Sequence, residues 1–247
     1  DIATLNHALD IGVTFIDTAD IYGDGRNELT VGEVAKHRRG EMTIATKVGI
    51  SRSADGKSVR VINDAPYIRK AVDESLGRLS VDVIDLLYLH RRDISIPIED
   101  VVGTMSELVS KGKVRHLGLS EVIAPEIEAA QAVHPIAAIQ SEWSVWSRDV
   151  EEHVVPTAAA LGIGFVPYSP LGRGFLTGTI SDAQQLHDDW RGSFSRFSGD
   201  ALAINQTIVT TLNTVAKKYE ATAAQIALSW LYATAERKGI ALAPIPG

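Results

Sequence analysis

Short β-rich apolar runs alternate with stretches of helical period along this chain, and that alternation narrows the fold more than any other feature. The runs are VTFIDTA from Val13, MTIATKV from Met42, VIDLLYLH from Val83 and VRHLGLSE from Val114. AAIQSEW from Ala137, IGFVPYSP from Ile163 and IALAPIPG from Ile240 complete the set. Between them the apolar positions change period. Ile68, Ala71, Val72, Leu76 and Leu79 fit one face of a helix, as do Ile98, Val101, Val102, Met105, Leu108 and Val109. The second of these helices opens with Pro97, Glu99 and Asp100 and closes with Lys111, Gly112 and Lys113, the expected start and stop chemistry. Thr222 and Gln225 have capping-box spacing ahead of IALSWLYA. Strict alternation implies a parallel sheet covered by helices. No Pro/Gly/Ser linker divides the chain, so a single domain over residues 1–247 is expected.

A (β/α)8 barrel has eight parallel strands. Seven runs are present, the opening IATLNHALDIG reads as a helix with no strand before it, and PIPG ends the last run. The expectation is an α/β (β/α)8 TIM barrel lacking its first strand and its C-terminal segment in this chain; an open doubly wound sheet is the alternative. A chain of that extent is expected to fold poorly, because its sheet would keep an unpaired edge.

Bulk properties exclude several classes. The net charge of -7 offers no basic face for nucleic acid. No apolar run approaches the roughly 20 residues of a membrane-spanning helix. The absence of cysteine rules out disulfides and thiolate chemistry. Without a secretory pattern at Asp1, a cytoplasmic location is expected.

The strand ends carry the chemistry. Side chains alternate along a strand, so Asp17, Lys47 and His90 each fall last on one face of their runs, at the carboxyl end where barrel enzymes place catalytic groups. Tyr22 follows in a loop able to fold back over that mouth. Singly, Asp17 reads as a cap, Lys47 as a surface amine, His90 as a core histidine and Tyr22 as a packed aromatic. Together they read as a proton-transfer site. A phenol holds its proton at neutral pH, and an adjacent ammonium eases its release. Asp17 can fix Lys47, and His90 can orient a carbonyl oxygen.

The later strand ends form a cradle. Ser120 and Gln140 can hydrogen-bond an amide, Glu121 stands beside Ser120 as a further cofactor-side candidate, and Tyr168 can stack on a flat ring. Ser169, Pro170, Leu171, Gly172 and Arg173 form a loop whose N–H groups and one cation suit a pyrophosphate. Trp143, Trp146 and Tyr22 suggest an apolar rim for a substrate. The other six histidines receive no role, and no metal site is expected.

These motifs resemble a known family. GVTFIDTADIYGDGRNE, TIATKVG, LLYLHR, KVRHLGLSE, QSEWSVWSR and VPYSPLGRGFLTG are similar to successive signatures of the aldo-keto reductases, from Gly12 to PIPG. The likeness is greatest to the perakine-reductase-like and auxin-induced-protein-like branch. It implies a barrel that binds NADP(H) and transfers hydride to an aldehyde or ketone. On that likeness Tyr22 is the acid, Lys47 and Asp17 tune it, and His90 orients the carbonyl. Ser120 and Gln140 hold the carboxamide and Tyr168 stacks on the nicotinamide. Glu121 stands where many members have Asn, and Trp143 replaces a frequent Tyr. The family grips the adenosine 2′-phosphate beyond PIPG, so a preference for NADP(H) over NAD(H) is not legible here. Two other readings differ in class: a redox-sensing nicotinamide-binding subunit, like the auxiliary β subunits of potassium channels, and a Schiff-base aldolase using Lys47.

Overall fold

The structure is a computed structural model and describes residues 2–53 and 58–246. Two compact units are formed, Asp1–Gln140 and Ser141–Gly247.

In the first unit the opening residues form helix α1, Ile2–Asp10. Strand β1, Phe15–Asp17, and helix α2, Arg26–Arg38, follow. Next come β2, Thr43–Val48, a short pair β3, Ile50–Arg52, and β4, Val59–Val61, and helix α3, Ala65–Leu79. Strand β5, Ile84–Leu89, helix α4, Ile98–Ser110, β6, Val114–Ser120, and α5, Ala124–Val133, lead to β7, Ile136–Glu142. Strands β1, β2, β5, β6 and β7 pair in that order, with every pair parallel. The alternation of strand and helix therefore produced the α/β parallel architecture expected of it.

Parallel strands covered on both faces must be apolar throughout. All six residues of β5 are buried, and the one carboxylate among them, Asp85, is paired with Arg39 at 2.8 Å. The helices meet the sheet through the faces their periodicity marks: Ile68, Ala71, Val72 and Leu79 on α3, and Ile98, Val101, Val102, Met105 and Leu108 on α4. Glu28 ties three elements together from the first turn of α2. Fully buried, it accepts from Thr46 Oγ1 on β2 at 2.6 Å and from Arg78 Nε on α3 at 2.6 Å.

Three local features depart from the sequence expectation. Strand β1 is only three residues long, because Val13 is half-exposed and its N–H closes the end of α1 on Ala8 O. The antiparallel pair β3–β4, with Ile50 opposite Val61, was not expected, since each run is too short to show a period. The run from Ile240 is no continuous strand: it makes isolated parallel bridges from Leu242 to Phe165 and from Ile245 to Tyr168. Ala243 and Ile245 donate to Phe165 and Pro167, whereas Pro244 and Pro246 have no N–H to offer the other side. Gly247, the last residue of PIPG, lies outside the described residues.

That segment belongs to the second unit, with α6, Val154–Ala160, β8, Gly164–Tyr168, α7, Gly199–Lys218, and α8, Ala223–Arg237. Short 3-10 turns run from Phe175 to Phe197 and pack on α7 and α8 through Phe175, Leu176, Leu186, Phe197, Leu212 and Ala227. Thr222 and Gln225 make the reciprocal capping bonds at the start of α8 that their spacing indicated. Among the described residues no helix is long and apolar enough to cross a membrane.

One close approach in the first unit sets a limit on sequence. A Cβ on Gly118 of β6 would lie 2.5 Å from the ring of Tyr88, which fills the space beside it and is fully buried. Gly118→Ala is expected to lower stability by about 1–3 kcal/mol, the usual cost of overpacking a closed core. A urea-unfolding midpoint equal to that of the parent protein would contradict this.

Candidate active site

Because neighbouring strands of the first unit run the same way, their carboxyl ends gather at one edge. Asp17 is the last residue of β1, Lys47 the last but one of β2, and His90 follows β5 directly. Ser120 ends β6, and Gln140 is paired with it across β7. The chain leaving β1 is held to β2 by Thr18 N–H on Ala45 O at 2.9 Å and Asp20 N–H on Lys47 O at 3.1 Å. A tight turn then brings Tyr22 back, with its N–H on Ala19 O, and Thr18 Oγ1 bonds Asn27 Oδ1 at 2.6 Å to brace it.

Lys47 is fully buried, so its ammonium needs charge and hydrogen-bond partners. It pairs with Asp17 Oδ1 and donates to Thr18 O at 2.8 Å. Asp17 Oδ2 accepts from Gln140 Nε2 at 2.8 Å. The Lys47 ammonium lies 5.0 Å from the centre of the Tyr22 ring. That ring meets the His90 imidazole edge-on, with centroids 5.8 Å apart. Tyr22 is 40% exposed, so the phenol faces solvent while the groups behind it are enclosed. The four residues singled out in the sequence thus lie in one cluster.

Burial holds His90 neutral, pushing its pKa down to about 3, and the charges of Lys47 and Arg91 add to the effect. Arg91 Nη1 donates to His90 O at 2.8 Å and to Ser120 Oγ at 3.2 Å, tying these strand ends together. Asp20 is a member that the sequence did not reveal. Burial pushes its carboxyl up to about 7; the Tyr67 hydrogen bond opposes this and the Glu28 charge adds to it. Tyr67 Oη donates to Asp20 Oδ2 at 3.1 Å, while Asp20 Oδ1 is buried without a partner. Its raised pKa depends on enclosure and on the Glu28 charge, which the fold supplies and the sequence pattern does not announce.

The amide-binding candidates fit a carboxamide. Ser120 and Gln140 are both buried and adjacent by register, offering a hydroxyl beside an amide. Glu121 is exposed, with a left-handed backbone at φ 53° and its N–H on Gln140 O at 3.0 Å. Asn is far commoner in that conformation than a long side chain.

In the second unit Tyr168 ends β8 half-buried, and Pro170 and Gly172 are buried. Ser169 and Arg173 both have left-handed backbone, at φ 49° and 57°. Gly172 is required: its own φ is 57°, and a Cβ would meet Trp146 at 2.9 Å. The loop N–H groups of Gly172 and Gly174 bond Ser169 O and Leu171 O within the turn. The Arg173 guanidinium lies over Trp190 and Phe194 and 3.6 Å from Glu142. Burial raises the Glu142 carboxyl, but bonds from Arg196 and Ser147 outweigh it and hold the group below the usual range.

The expected rim is corrected at one position. Trp143 is 0% exposed, stacks edge-on with Phe165 and donates to Glu151 Oε1 at 3.0 Å, so it is a core residue of its unit. A rim side chain must face solvent. Trp146 is half-buried among Phe175, Phe197 and Arg196 and bonds Asn205. Leu171 beside it is half-buried and packs on the same cluster.

Comparison with known proteins accords with these motifs. The model of the Aldo/keto reductase family matches residues 1–245. Probable aldo-keto reductase 1 of Glycine max is 43% identical over 247 residues, all of this chain and 70% of that protein. The glycerol dehydrogenase structure from Gluconobacter oxydans superposes with a TM-score of 0.90 at 29% identity, covering 99% of this chain and 76% of that one. An aldo/keto reductase of Klebsiella pneumoniae in complex with NADP and acetate gives a TM-score of 0.72 at 25% identity, covering 99% and 73%. The α/β barrel class expected from the sequence is the one these neighbours share.

The depressed pKa of His90 fixes a pH dependence. An unfolded histidine takes up a proton near pH 6.5 and the folded one only near 3, so the unfolded state binds more protons between them. The stability due to this group is complete above about pH 6.5 and is lost as pH falls toward 3. The ring signals of His90 in NMR spectra are expected to stay constant from about pH 8 to 5; titration near 6.5 would contradict its burial as a neutral group.

Proposed function

Because the chain belongs to the aldo/keto reductase family, we propose that it is an NADP(H)-dependent oxidoreductase that reduces a small-molecule aldehyde or ketone, as a single barrel domain. One observation carries this reading: a solvent-facing phenol, a buried ammonium–carboxylate pair and a neutral imidazole lie together at one edge of a parallel sheet. We read its motifs as nearest those of the perakine-reductase-like and auxin-induced-protein-like branch.

NADP(H), when bound, supplies the hydride. Ser120 and Gln140 would hold its carboxamide, Tyr168 its ring face, and the loop Ser169–Arg173 its phosphates. Neutral His90 donates a hydrogen bond to the substrate carbonyl oxygen and aims it. Tyr22 Oη gives its proton to that oxygen as charge builds on it, and the Lys47 ammonium stabilises the phenolate left behind. Asp17 keeps the ammonium charged and fixed. In the first unit Tyr22 offers apolar surface for a substrate; in the second, the partly exposed side of Trp146 is a further candidate, whereas Trp143 is core.

The aldolase reading needs a free amine on Lys47, and that nitrogen is buried and already bonded to Asp17 and Thr18 O. Borohydride is expected to trap no substrate there.

The test is NADPH oxidation against a panel of aldehydes and ketones, with Tyr22→Phe beside the parent protein. The variant is expected to lose about 10²–10⁴-fold in kcat, the usual contribution of a positioned acid, with NADPH affinity nearly unchanged. Full activity in the variant would overturn the assignment.

A further inference from the structure

We infer that Gln140 is a positioning residue that joins the carboxamide seat to the proton-donating groups, by holding Asp17 against Lys47; the inference rests on the carbonyl-reductase reading. Asp17 has two oxygens and two partners. Oδ1 faces the Lys47 ammonium and Oδ2 accepts from Gln140 Nε2 at 2.8 Å. A carboxylate only accepts, so the network fixes the orientation of the amide: nitrogen toward Asp17 and Oε1 as the acceptor for a second donor, with the buried Tyr88 side chain also beside the amide. A carboxamide NH2 is such a donor. Ser120, paired with Gln140 in register, already receives an Arg91 N–H on its Oγ and keeps its own hydroxyl proton to give to a carboxamide oxygen.

Gln140 is well placed for this task. It is 3% exposed, and Glu121 N–H on Gln140 O at 3.0 Å anchors its backbone. From its amide a short path leads to the acid: Asp17, then Lys47, whose ammonium lies 5.0 Å from the Tyr22 ring centre. Without the Gln140 donor the carboxylate is free to turn about its side chain. The Lys47 ammonium then follows it, and the field at Tyr22 changes. A residue that only bound the cofactor would face Asp17 with nothing to give.

Three variants of the whole protein test the link: Gln140→Met, which removes the donor at similar length, Asp17→Asn, and the pair. At saturating NADPH, Gln140→Met is expected to lower kcat about tenfold, a loss of the size that small displacements of catalytic groups produce. The pair is expected to be no slower than Asp17→Asn alone, because the second loss acts through the first. Losses that multiply would overturn the inference. So would Gln140→Met with parental kcat and only weaker NADPH binding.

A second measurement is independent of activity. In cofactor-free protein the Gln140 Nε2 protons are expected to include one shifted downfield by the charged acceptor, and that shift should disappear in Asp17→Asn. Signals unchanged by the substitution would overturn the link. If the parent protein reduces no carbonyl on the panel, the functional reading fails, while these amide signals still decide whether Asp17 is held by Gln140.

Discussion

A lysine ammonium with no exposure to water constrains more of the first unit than any other group. Lys47 cannot keep its charge there unless compensation is close, and removing one partner of such a pair typically costs about 3–5 kcal/mol. Its partners come from separate places in the chain. Asp17 ends β1, Thr18 O belongs to the turn that follows, and the second oxygen of Asp17 is held by β7. To satisfy one cation, strand ends more than 120 residues apart must be in register, as the 123-residue separation of Asp17 and Gln140 shows. The ion pair is thus a statement about the sheet as well as about the chemistry.

The alternation of side chains on β2 separates this pair from a second charged group. Thr46 points to the helices and meets Glu28, whose carboxylate is neutralised by Arg78; Lys47 points the other way. Between the two lies Asp20, pushed up to about 7 chiefly by burial and in part by Glu28. The cation held beside the phenol is Lys47, which is what the proton donor of the proposed mechanism needs.

Much of this was legible in the chain because strand period and strand ends are local properties. Asp17, Lys47 and His90 could be read as a set from spacing alone, and the helix faces of α3 and α4 from their apolar stripes. Trp143 shows how such reading slips. It lies just past the end of β7, where the sequence does not tell a rim aromatic from a core one, and it is fully buried. Asp20, Arg91 and Tyr88 were not legible. Their importance comes from enclosure and from neighbours that only the fold supplies. Left-handed backbone at Glu121, Ser169 and Arg173 was equally hidden, since nothing in a Glu, Ser or Arg announces a positive φ.

The state of His90 follows from the same enclosure and decides what it can do. At neutral pH its ring carries one proton, because burial and the nearby Lys47 and Arg91 charges disfavour a second. Its Nδ1 is buried with no hydrogen-bond partner. A proton there would be a buried donor with nothing to receive it, which costs more than leaving a lone pair unused. The network therefore assigns the proton to Nε2. In that tautomer the imidazole has one N–H to give and is a poor base, which suits the proposed mechanism, in which it aims a carbonyl oxygen and Tyr22 supplies the proton. The division of labour proposed for the two rings follows from which of them the fold encloses.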